Sequence, residues 1–186
     1  KEYYYKIRAL DIDSLSAMDK AARFIYLNRY CFNAVYRTNM KGKFNVPRGT
    51  KTGGIPPLED FISNAQSLKS AVLQSCDFEK TIKIAEEGDF VYLDPPYAKH
   101  GKKNSGEYGI GAFDSRDIER LIHCLLYLSS KKVQVLVSYR RTSEFSELLS
   151  VGWSHIDISV PRHIAGFTSK RKNADEILLA NYKLKG

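Results

Sequence analysis

Apolar residues recur at spacings of three and four through SLSAMDKAARFIYLNRYCFNAVYR, Ser14 to Arg37, where Ala21, Phe24, Leu27 (or Tyr26), Cys31, Ala34 and Val35 share a face. The pattern predicts a helix, interrupted near Cys31 to Asn33, with Ser14 or Ser16 as its cap. The next stretch, RTNMKGKFNVPRGTKTGGIPP, loses the periodicity and fills with Lys, Arg, Gly, Pro and Thr, so Arg37 to Pro57 is a loop with a positive bias. Leu58 to Leu68 again reads as a short helix, and Ala71 to Phe78 as a strand that ends at a polar edge.

From there the alternation becomes regular. EKTIKIAEEG is a short helix closed by Gly88, and FVYLDPPY is a buried strand running into an elbow. DSRDIERLIHCLLYLSS is an amphipathic helix capped by Asp114 or Ser115. VQVLVSY is a second buried strand, SEFSELLS a helix, and HIDISV and EILLANY two closing strands. Strand and helix in alternation predict a parallel sheet with crossover helices. Ala71 to Gly186 therefore reads as the second half of a doubly wound α/β sheet, behind a basic, mostly helical segment. The division expected is 1–56 for the front segment and 57–186 for the α/β part.

Composition narrows the classes. With 186 residues and 43% hydrophobic content, the chain suits one domain, with or without an inserted subdomain. No window approaches the ~18 consecutive apolar residues of a membrane span, and the first residues lack a secretory core, so a soluble cytoplasmic protein is expected. Cys31, Cys76 and Cys124 lie far apart, as do His100, His123, His155 and His163, and their spacing suggests neither a disulfide framework nor a metal site. The net charge of +8, from 29 Lys and Arg against 21 Asp and Glu, suits a polyanionic partner as well as a merely soluble surface.

The unusual chemistry lies at FVYLDPPY. In open α/β sheets, functional groups gather beyond the carboxyl ends of strands, and Asp94, Pro95, Pro96 and Tyr97 stand there. The two prolines stiffen the elbow and remove two N–H donors. The Asp94 carboxylate and the Pro95 carbonyl are then paired acceptors beside the flat ring of Tyr97. Such a group suits a planar compound carrying NH2, such as adenine. Gripping both N–H bonds draws a poorly nucleophilic amine toward tetrahedral geometry, and attack on an electrophilic methyl then needs orientation and field more than a strong base. Tyr97 would stack on a base drawn out of its duplex. Asp-Pro-Pro by itself also serves as an ordinary strand-to-turn junction.

DPPY in this place, CDFEKTI upstream, FIYLNRYCFNAVYRTNMKGKFNVPRG before that and ADEILLANY near the end together resemble the Dam-type (D12 class) DNA adenine-N6 methyltransferases, over nearly the whole chain. The resemblance implies a Rossmann-like, S-adenosylmethionine-dependent methyltransferase sheet (its C-terminal portion) with a mostly helical DNA-recognition subdomain. It implies S-adenosylmethionine as methyl donor, no metal, double-stranded DNA as partner and a prokaryotic or phage origin. Asp94, Pro95, Pro96 and Tyr97 would hold the target adenine, while Asp77, Phe78 and Asp94 would line the donor site. Phe32 and Asn33 match residues at the flipped base, Val35 and Pro47 contacts to thymine methyls, and Arg37 a guanine reader. Asn39 joins this DNA-binding set, and Lys41, Lys43, Arg48 and Lys51 suit phosphate contacts. GATC or a related short site is the expected target.

The same resemblance calls for a glycine-rich FxGxG turn after a first strand, and nothing before Ala71 supplies one. GIGAF, Gly109 to Phe113, has no strand in front of it and reads as a mobile loop over the DPPY pocket. An amino-terminal portion is therefore expected to be absent and to act as a partner, leaving donor binding weak in this polypeptide alone. The competing reading is a truncated, inactive relative that only binds DNA. Methylation of an RNA base or a protein amide is a third.

Overall fold

Sixteen residues of steady three-and-four spacing, led by an aspartate, make the best-defined element of the chain: the helix Ser115–Ser130. Asp114 accepts from the backbone of Arg116 and Asp117 while Asp117 answers the Asp114 N–H, a reciprocal capping box. The computed structural model describes residues 1–39, 41–50, 53–98, 113–161 and 173–184. In order these form α1 (Glu2–Ala9), α2 (Ala17–Tyr30), a 3-10 turn (Phe32–Ala34), α3 (Leu58–Ser67), α4 (Phe78–Ile82) and β1 (Phe90–Leu93). After the α5 helix (Ser115–Ser130) come β2 (Gln134–Arg140), a 3-10 turn (Ser143–Phe145), α6 (Ser146–Ser150), β3 (Ser154–Pro161) and β4 (Asn173–Ala180).

Two compact units result, one from Lys1 to Gln74 and the other taking the described residues from Ser75 onward. In the first, Ser16 caps α2 by accepting from the Asp19 N–H, and the helix stops at Tyr30, where the sequence predicts an interruption. Leu27, Cys31, Phe44, Val46 and Tyr4 form its core. The Tyr4 hydroxyl donates to the Val46 carbonyl at 3.0 Å, and burial pushes its pKa up to about 12, so it stays neutral and keeps donating. Arg23 is also buried and donates to the Ile7 and Arg8 carbonyls in the last turn of α1.

The second unit is a four-stranded sheet in the order β1-β2-β4-β3. β1 and β2 are parallel, with Leu93 opposite Val137, and α5 is the crossover between them. Val135, Val137 and Tyr139 alternate onto the α5 face, where Ile118, Leu121, Leu125 and Leu128 complete the core.

The structure corrects three expectations here. Ala71–Phe78 is no strand: its first part is irregular, Val72 and Leu73 are exposed, and Phe78 begins α4. β-branched and apolar composition marks a segment suited to a sheet, but a strand exists only where a neighbour accepts its hydrogen bonds. β1 is not buried, because Phe90 and Tyr92 point from an edge strand and are 56% and 54% exposed. Nor is the sheet all parallel, since β4 runs against both β2 and β3. β3 and β4 pair along their whole length, from Ser154 opposite Ala180 to Pro161 opposite Asn173, an antiparallel ladder that needs no crossover helix.

Candidate active site

β1 ends at Leu93, so Asp94 is the first residue past the carboxyl end of the strand, as the sequence implies. The parallel neighbour, β2, braces the elbow that begins there. Ser138 Oγ lies 3.0 Å from Asp94 Oδ1, and the Tyr139 hydroxyl accepts from the Ala98 N–H at 2.7 Å. Arg140 reaches the Ala98 carbonyl at 3.4 Å and sets its guanidinium 6.0 Å from the centroid of the Tyr97 ring. From β4, Glu176 accepts from the Tyr97 hydroxyl. Tyr97 meets Tyr139 edge to face, with centroids 5.5 Å apart. Asp94, Tyr97 and Ala98 are thus held by three consecutive residues of β2 and one of β4. Asp94 stays exposed, and Pro95 and Tyr97 are half-buried. Burial pushes the Tyr139 hydroxyl up, which keeps it a neutral partner of the Ala98 amide.

The bracing residues were missed by sequence reasoning. Their signal was present in VQVLVSYR, where an apolar strand turns polar in its last three positions, at the same end at which β1 gives way to Asp94.

A second constellation lies at Asp77 and Phe78. Asp77 caps α4 by accepting from the Glu79 N–H at 3.0 Å. Arg120 of α5 places Nη2 2.9 Å from both Asp77 oxygens, Nε 2.7 Å from Glu79 and Nη1 2.8 Å from Asp117. Its guanidinium also covers the Phe78 ring at 4.8 Å. The hydrogen bond from Arg120 holds the Asp77 carboxyl below the usual carboxylate range, and the three carboxylates raise Arg120. A carboxylate offers about four acceptor sites. Those three bonds to Asp77 leave one at Oδ2, enough to accept from one exocyclic amine. Phe78 is half-buried, with Arg120 against its ring. Phe113, the one described residue of GIGAF, packs 6.3 Å from the Phe78 ring, and the rest of that segment lies outside the described residues.

In the first unit the predicted DNA contacts gather around one small hairpin. Phe32 and Asn33 sit on the 3-10 turn, with Asn33 and Ala34 at φ 57° and 53°, left-handed values that side chains other than Gly seldom adopt. Bonds from the Phe32 N–H to Pro47 (2.9 Å) and from the Gly49 N–H to Tyr30 (2.8 Å) hold the turn. Phe32 is 45% exposed and Val35 is exposed beside it. Between Arg37 and Val46 the chain folds back on itself through the Thr38–Phe44 bridge, placing Phe44 and Val46 inside and Lys41 and Lys43 outside. Arg37 donates to Asn45 at 3.3 Å and remains exposed. The Asn39 side-chain oxygen is spent on the turn, accepting from the Lys41 and Lys43 N–H groups. Pro47 and Arg48 are exposed, and Lys51 lies outside the described residues.

Among the described residues no group of three or more His, Cys, Asp or Glu is placed to hold a metal ion, and no helix is long and apolar enough to cross a membrane.

Comparison with known proteins gives the family. A family model described as D12 class N6 adenine-specific DNA methyltransferase matches residues 1–164. The Type II methyltransferase M1.LlaDCHI of Lactococcus lactis subsp. cremoris is 37% identical over 190 residues, covering 98% of this chain and 66% of that protein. The Type II methyltransferase M.MjaIII of Methanocaldococcus jannaschii is 31% identical, covering 98% and 65%. The DNA adenine methylase of Escherichia coli (strain K12) is 30% identical, again covering 98% and 65%. The chain spans just under two thirds of the length of these relatives.

Proposed function

The chain belongs to the D12 class N6 adenine-specific DNA methyltransferases, and from that membership we propose that it carries the adenine-binding and DNA-reading parts of an enzyme that methylates adenine N6 in duplex DNA. The observation that carries this reading is the braced elbow at the end of β1. Pro95 and Pro96 contribute acceptors and no N–H. Asp94 and the Pro95 carbonyl grip the two N–H bonds of the amine, and the carboxylate receives the proton that the nitrogen sheds. Tyr97 stacks on the extruded base. S-Adenosylmethionine, when bound, supplies an electrophilic methyl group. Asp77 would accept from its adenine amine through the remaining Oδ2 site, and Phe78 would pack on its ring.

Target choice belongs to the hairpin of the first unit. The planar fork of Arg37 suits O6 and N7 of a guanine, Phe32 and Asn33 suit the gap left by the flipped base, and Val35 and Pro47 suit thymine methyls. Lys41, Lys43, Arg48 and Lys51 contribute phosphate contacts, and Asn39 shapes the turn that presents them. GATC or a related short site remains the proposed target. A Rossmann-like sheet is supported by the parallel β1-α5-β2 crossover and the position of Asp94 at its carboxyl end.

The test is transfer of labelled methyl from S-adenosylmethionine by the intact parent protein and by its Asp94→Ala variant, to a GATC duplex and to a duplex lacking the site. Transfer confined to the GATC duplex and abolished in the variant is expected. Equal transfer by wild type and variant sinks the elbow mechanism. Binding to DNA without transfer by either protein favours the reading as a DNA-binding module, which the separately cored first unit also suits.

A further inference from the structure

Successive residues of a strand face opposite sides of the sheet, and the parallel register sets Tyr92 opposite Leu136. Tyr92, Asp94 and Ser138 therefore share the face opposite the α5 core. Ser138 is only 9% exposed, in a strand whose neighbours Val137 and Tyr139 are core residues. Its Oγ stands 2.9 Å from the Tyr92 hydroxyl and 3.0 Å from Asp94 Oδ1.

The proton count fixes the direction of this chain. An ionised carboxylate only accepts, and a serine hydroxyl has one proton to give. Ser138 therefore donates to Asp94, and its oxygen accepts from Tyr92. Among the described residues no hydrogen bond falls on Asp94 Oδ2. We propose that Tyr92 and Ser138 are positioning residues for methyl transfer: the Tyr92 to Ser138 to Asp94 relay occupies Oδ1, pins the carboxylate plane, and presents Oδ2 to the N6 amine. This deepens the reading of Asp94 as the adenine acceptor and rests on it.

An acceptor free to rotate would still bind adenine but would meet the reacting amine at the wrong angle, and small misplacements of reacting groups cost rate far more than affinity. The relay therefore acts on turnover. A side chain needed only for packing at Ser138 would be replaced without loss by alanine, which keeps the β-carbon and removes the hydroxyl.

The experiment compares the full chain with its Ser138→Ala, Ser138→Thr, Tyr92→Phe and Asp94→Ala variants, measuring kcat and the KM values for duplex DNA and S-adenosylmethionine. Ser138→Ala is expected to lower kcat by about tenfold or more while leaving both KM values within about twofold. Ser138→Thr, which keeps a hydroxyl, restores most of the rate. Tyr92→Phe, on a half-exposed ring, gives a smaller drop because Ser138 keeps its bond but not its fixed direction. Wild-type kcat in both Ser138→Ala and Tyr92→Phe, with Asp94→Ala inactive, overturns the relay and leaves the role of Asp94 standing. Wild-type kcat in Asp94→Ala overturns that role and the relay with it. If Ser138→Ala does not fold, shown by a lost thermal transition, Tyr92→Phe decides alone, and an unchanged kcat there overturns the relay.

Discussion

Tyr139→Phe removes one oxygen from the centre of the site and nothing else. The ring keeps its edge contacts with Tyr97 at 5.5 Å and Phe145 at 5.2 Å, so its packing cancels between wild type and variant. What is lost is the 2.7 Å hydrogen bond from the Ala98 N–H, with Tyr139 1% and Ala98 4% exposed. A buried donor stripped of its acceptor costs about 1–3 kcal/mol, while removing the buried phenol oxygen relieves some of its own desolvation. The net expected is about 1–2 kcal/mol. In urea, with a slope of ~2 kcal/mol per molar, the unfolding midpoint falls by about 0.5–1 M at unchanged slope. Hydrogen exchange reads the same event locally, since the Ala98 amide loses its protection while amides of the α5 interior keep theirs. A midpoint shift below ~0.2 M, or an Ala98 amide as protected as in wild type, would refute the claim that this bond holds the elbow.

Arg120→Ala releases Asp77, Glu79 and Asp117 together. Because the Arg120 hydrogen bond holds Asp77 below its ordinary value of about 3.9, the unfolded chain binds more protons there and stability rises with pH in that window. The contribution is complete above about pH 5 and fades as pH falls through the lowered value, so the gap in melting temperature between wild type and variant narrows from pH 7 toward pH 3. A gap independent of pH would count against the pairing. Gly49→Ala puts a methyl group 2.9 Å from the Cys31 carbonyl oxygen, a backbone atom with no rotamer to move. The first unit should lose about 1–3 kcal/mol, read by faster exchange of the Phe32 amide, and normal exchange there would show that the turn gives way freely. Arg37→Ala is expected to cost about 1–3 kcal/mol against the cognate duplex only, whereas Lys43→Ala weakens all duplexes and lowers the salt slope by about one, both measured by fluorescence anisotropy. Equal losses on cognate and random duplexes would remove Arg37 from the reading role.

The sequence by itself determined what depends on near neighbours in the chain. The three-and-four spacing, Ser16 and the Asp114–Asp117 box define α2 and α5 within a residue or two, and the apolar run into Asp-Pro-Pro defines the end of β1. Pairing was beyond its reach, because a strand is a relation between segments. Ala71–Phe78 has the composition of a strand but lies outside the four-stranded sheet, and β4 could not be placed between β2 and β3 without knowing its antiparallel pairing. The candidate site divides in the same way. Asp94, Pro95, Pro96 and Tyr97 are legible as four consecutive letters, whereas Ser138, Tyr139 and Arg140 lie more than forty positions away and meet them only through the parallel register of β1 and β2. Local propensity acts through bonded neighbours, and the groups that aim the carboxylate come from across a sheet that only the folded chain assembles.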